Sequence, residues 1–125
     1  MAMTHYLLQV AYTAEGWATL VQHPHNRFEE LRPAVARLGG SLEALWMSFG
    51  DYDVVALLQL PDNVSAAALS IAVSAGGAVK AVKTTPLMSV EEGMEAMAKA
   101  GQVGYKAPKW VRSIRGDDVG SEGLR

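Results

Sequence analysis

From His5 to Tyr12 the chain alternates, with Tyr6, Leu8, Val10 and Tyr12 on one parity and His5, Leu7, Gln9 and Ala11 on the other. A period of two places one strongly apolar strand face against a core. Residues 13–26 lose that rhythm and read as irregular or briefly helical, with Gly16 and Pro24 as punctuation and Trp17, Leu20 and Val21 as anchors. Asn26, with Glu29 at the third position, then opens a helix on which Phe28, Leu31, Val35 and Leu38 recur at helical spacing. Pro33 removes a backbone donor and predicts a kink or a later start; Gly39 and Gly40 supply the stop. Two strands follow, over 41–49 and 52–60, with Gly50 and Asp51 suited to a tight hairpin turn. Pro61 and Asp62 lead into a second helix, for which Val64, Ala68, Ile71 and Ala75 give the expected apolar stripe. After Gly76 and Gly77, residues 78–85 predict a fourth strand ended by Pro86, and Ser89 starts a last helix bearing Val90, Met94 and Met97. The order strand, helix, strand, strand, helix, strand predicts an α+β fold, a ferredoxin-like βαββαβ plait with an antiparallel four-stranded sheet and an extra C-terminal helix.

The third strand departs from simple alternation. Tyr52, Val54, Ala56, Leu58 and Leu60 share one face, but Val55 and Leu57 make the other face apolar too. A strand apolar on both sides needs cover on both sides, and two helices cover only one face of such a sheet. The second cover is the last helix, the C-terminal arm or another subunit, and a homo-oligomer, most simply a dimer, is the economical expectation. The domain is expected over residues 1–100. From Gly101 to Arg125 glycines space out Tyr105, Pro108, Trp110, Val111 and Ile114, a pattern that cannot form a core alone. This C-terminal arm is expected to dock through Tyr105 and Trp110.

Composition narrows the function classes. A chain of 125 residues with 50% hydrophobic and 19% charged residues suits one soluble domain, and no run approaches the length of a membrane span. Cysteine is absent, which excludes disulfides, thiolate metal sites and thiol nucleophiles. No secretory signal pattern opens the chain, so a cytoplasmic location is expected. A formal net charge of -2 argues against nucleic acid, as does Asp51–Leu60, which carries Tyr52 but no lysine or arginine. The basic run Lys106, Lys109, Arg112 and Arg115 is balanced by Asp117, Asp118 and Glu122. The glycine pairs end helices rather than start them, so no phosphate loop is formed and no cofactor is expected.

The ordered set Gly39-Gly40, Gly50-Asp51-Tyr52-Asp53-Val54-Val55, Pro61-Asp62, and Gly77 with Val79 and Thr84-Thr85 resembles the GYD-domain family of small bacterial proteins over about residues 5–100. Gly50, Tyr52 and Asp53 match the residues of its name. Arg27 after Pro24 is similar to a Pro and Arg of that family, here with His25 and Asn26 between them. The resemblance implies a ferredoxin-like fold and oligomers, and no reaction.

Candidate chemistry centres on the start of the third strand. Asp53 leads directly into an apolar run, where it could act as a general base or bond backbone donors of the turn. Tyr52 offers an apolar body with a polar tip, and Trp46 can wall a pocket or anchor an oligomer. Lys83 with Thr85 can hold an anion, or Lys83 can bury only its stem. Arg27 joins Trp46, Tyr52, Asp53 and Lys83 as a ligand-binding candidate through the family resemblance. His23 and His25 flank Pro24 without a third ligand at a recognised spacing, so no metal site is expected. His5 reads as an edge residue. The expectation is a homo-oligomeric small-molecule binding or sensing domain. The alternative is a cofactor-independent enzyme of the dimeric α+β barrel type, in which Asp53, Tyr52, Lys83 or a histidine handles protons.

Overall fold

The computed structural model describes residues 3–110. The chain divides into two compact units, Met1–Met88 and Ser89–Arg125. The first contains strand β1 (Thr4–Tyr12), helices α1 (Ala14–Gln22) and α2 (Arg27–Arg37), strands β2 (Ser41–Met47) and β3 (Val54–Leu60), helix α3 (Asn63–Ala75) and strand β4 (Val79–Leu87). The four strands run in the order β2-β3-β1-β4 with every neighbouring pair antiparallel. This is the ferredoxin-like α+β arrangement that the alternation predicts.

The core lies on one face of the sheet. Tyr6, Leu8 and Val10 from β1 and Val54, Ala56, Leu58 and Leu60 from β3 meet Val35 of α2 and Ala66 and Leu69 of α3, all buried. Burying such side chains stabilises by roughly 1.5–3 kcal/mol each, which makes this face the main source of cohesion. The Tyr6 hydroxyl donates to Asn63 Oδ1 at 2.6 Å and fastens β1 to the first turn of α3.

Several elements differ from the pattern reading. Residues 14–22 form a full helix, capped by the Thr13 side chain, which accepts from Gly16 N at 2.9 Å. Gly16 permits it: a Cβ there would lie 2.4 Å from the Ala78 carbonyl oxygen, so only glycine lets α1 approach the start of β4. Leu20 packs on the core, whereas Trp17 and Val21 are exposed. Asn26 caps α2 as expected, accepting from Phe28 N and Glu29 N, and the helix runs through Pro33. On α3 the stripe is displaced. Val64 and Ile71 are 78% and 67% exposed, and Ala66, Leu69 and Val73 face the core instead. An almost wholly apolar helix carries little contrast between faces, so its sequence does not fix which stripe packs. Pro86 sits inside β4 opposite Tyr6 rather than ending it, a position that an edge strand tolerates.

The connection between β2 and β3 spans residues 48–53 and is wider than a tight hairpin. Ser48 N donates to the Asp53 carbonyl at 2.9 Å and Ser48 Oγ to the Tyr52 carbonyl at 2.8 Å. Gly50, at φ 130°, is the positive-φ residue of this turn.

In the second unit, α4 (Val90–Ala100) begins with a reciprocal capping box between Ser89 and Glu92. Val90, Met94 and Met97 are exposed on it, as are Tyr105 and Trp110 beyond it. Val111, Arg112, Ile114, Arg115, Asp117, Asp118 and Glu122 of the arm lie outside the described residues.

Candidate functional site

The sequence-predicted residues fall on two faces of the sheet and at one end of it. Lys83 and Trp46 lie on the face opposite α2 and α3, on opposite edges. The strand register runs Lys83, Gln9, Val55, Trp46 straight across β4, β1, β3 and β2, so their backbones are separated by three strand spacings, roughly 14 Å. The next row is Thr85, Leu7, Leu57, Ala44. Leu7, Val55, Leu57 and Ala44 are half-buried, and Trp46 is 58% exposed. Trp46 reaches this face because a bulge at Glu43 shifts the β2 register between Leu42 and Ala44. Leu42 therefore points into the core and Trp46 away from it, where simple alternation places them together. At the end of this face His5 lies 3.6 Å from Glu43, and Gln59 donates to the same carboxylate.

Asp53 acts as a clasp between strands. Its Oδ2 accepts from Tyr12 N at 2.9 Å, and its own N–H donates to the Val10 carbonyl at 2.7 Å. The carboxylate thus serves a backbone donor of β1, not donors within its own turn. Tyr52 is half-buried in the turn before it.

Arg27 lies on the helix face, at the first position of α2, where it borders three hollows. One cleft of about 410 Å³ is lined by Trp17, Phe28, Leu45 and Met47 together with His25 and Arg27. A second, of about 280 Å³, lies between Tyr12, Glu15 and Gly76-Gly77, again with His25 and Arg27. A small hollow of about 40 Å³ reaches from Arg27 into the core beside Tyr12 and Leu31. None of the three is lined by Trp46, Tyr52, Asp53 or Lys83. Asp53 is linked indirectly to the two smaller ones, which Tyr12 lines, since it holds the backbone of Tyr12.

The local chemistry follows from hydrogen-bond roles. The His23 carbonyl can only accept, so His25 Nδ1 donates to it at 2.9 Å; a guanidinium can only donate, so His25 Nε2 accepts from Arg27 NH1 at 2.8 Å. The geometry therefore requires a neutral imidazole protonated on Nδ1. Arg27 Cζ stands 6.0 Å from the Tyr12 ring centroid, and Trp17 meets that ring edge-on at 5.2 Å. His25, held by the His23 carbonyl, thus orients Arg27. Among the described residues no group of three metal-ligating side chains occurs. The signal for this cluster in the sequence is His25-Asn26-Arg27 directly before a helix.

The model of the GYD domain family matches residues 6–97, and the chain belongs to that family. Comparisons with curated proteins and with solved structures give no match.

Proposed function

We propose that this GYD domain works as a homo-oligomer that binds a small molecule, with two copies stacked through the sheet faces opposite α2 and α3. The observation that carries this reading is the apolar centre of that face, Leu7, Val55, Leu57 and Ala44, flanked by exposed Trp46. The face is self-complementary about a two-fold axis parallel to the strands. Such an axis lays β4 of one copy over β2 of the other, bringing Lys83 over Trp46 and Leu7 over Leu57, within the small crossing angle of stacked sheets. Stacking leaves the Arg27 clefts open on the opposite face, at sizes that suit a small organic ligand. Native mass spectrometry of the full chain tests both parts: the reading expects the mass of two copies together with a co-purified small molecule. A bare single-chain mass at micromolar concentration refutes it.

A further inference from the structure

We infer that the larger Arg27 cleft takes a ligand with a single carboxylate on a flat apolar body. This inference rests on the small-molecule reading above and names the class of ligand. Arg27 is half-buried, and its contacts are an uncharged imidazole and an aromatic ring. Among the described residues the ion pairs are His5 with Glu43 and Arg32 with Glu29, so no described carboxylate neutralises Arg27. A guanidinium carries five N–H donors in a planar fork matched to a carboxylate, and His25 occupies only one nitrogen. The bond to His25 also fixes the fork, so a bound anion meets a group already oriented.

The surroundings choose among anions. The larger cleft has no acidic residue in its lining, and Trp17, Phe28, Leu45 and Met47 give it aromatic and aliphatic walls. A phosphate dianion asks for more than one cation or a nest of backbone donors. Here one arginine stands alone beside a neutral histidine, and Glu15 borders the adjoining cleft. One positive charge in the lining of a largely apolar slot matches one negative charge at the end of an apolar body.

The test is a 1H–15N NMR titration of the full chain with benzoate, phenylacetate and octanoate, each against its neutral amide and against inorganic phosphate. Benzoate or phenylacetate should shift the Trp17 indole and Arg27 Nε signals saturably, with its amide, octanoate and phosphate bound at least tenfold more weakly; octanoate bound as tightly overturns the flat body. Arg27→Gln should lose about tenfold or more in affinity, as expected for a charge-assisted pair. Arg37→Gln, which removes an equal charge from an exposed position of the same helix, should change nothing. Amides bound as tightly as acids, or binding unaffected in Arg27→Gln, overturn the carboxylate assignment while leaving a small-molecule site in place. No response to any probe overturns the carboxylate site, whereas the small-molecule reading is judged separately by the co-purified mass.

Discussion

Replacing Asp53 by Ala should destabilise the domain by about 1–3 kcal/mol, because the change strands a buried donor. Tyr12 is 4% exposed, and its N–H is held by Asp53 Oδ2 at 2.9 Å. Alanine leaves that N–H without an acceptor and without water. Asparagine keeps an oxygen of the same shape and forfeits only the charge assistance, so Asp53→Asn should cost about 1 kcal/mol or less. Urea unfolding separates the two: with a slope of ~1–3 kcal/mol per molar for small proteins, the Ala variant should lose roughly 1 M in midpoint and the Asn variant a few tenths. Hydrogen exchange gives a local reading, since the Tyr12 amide should exchange faster in Asp53→Ala while amides in the middle of β3 keep their relative protection. Equal losses in the two variants, or no loss in Asp53→Ala, would refute the clasp. If the Asn variant instead abolished binding of a ligand with stability unchanged, Asp53 would belong to the site chemistry.

Two further predictions concern backbone fit and capping. Gly40→Ala should destabilise by about 1–3 kcal/mol in urea, because its Cβ would stand 2.1 Å from the Gln59 carbonyl oxygen; Gly93→Ala, on α4 with open space around it, should instead raise helicity by circular dichroism. Asp62 caps α3 by accepting from Ser65 N at 2.8 Å, and its bonds to Ser65 hold its carboxyl below the ordinary carboxylate range. A lowered folded-state pKa gives stability that is full above the ordinary carboxylate value and is lost as pH falls through the folded value. The stability gap between wild type and Asp62→Ala should therefore be constant near neutrality and shrink below about pH 4, and a gap independent of pH down to pH 2 would count against the cap.

Strand order was legible because Tyr6, Leu8 and Val10 oppose polar or mixed positions strongly enough to fix one face. The helix stops were legible because Gly39 and Gly77 take positive φ. Helix α1 was not, since its reason to form lies in the close approach of Gly16 to Ala78, a residue distant in sequence. The start of β3 was misplaced for a similar reason: β1 holds Asp53 by two hydrogen bonds. The bulge at Glu43 hides the true facing of Trp46, because one extra residue inverts the parity of everything after it. Of the proposed ligand residues, Arg27 stands in a cleft, Lys83 and Trp46 share the other sheet face, and Tyr52 and Asp53 close a turn. Nothing in the sequence separates these settings, because proximity here is set by strand register.

Leu57→Lys tests directly whether the sheet face opposite α2 and α3 is an interface between copies. Leu57 lies on β3, a central strand, paired with Leu7 and Ala44 on that face and half-buried within its own copy. A lysine there can extend into water in a single copy but places two charges in a stacked pair. Sedimentation velocity at micromolar concentration should show the wild-type chain as a dimer and Leu57→Lys as a monomer with an unchanged far-ultraviolet circular dichroism spectrum. A monomeric wild type, or a Leu57→Lys variant that remains dimeric, would contradict it.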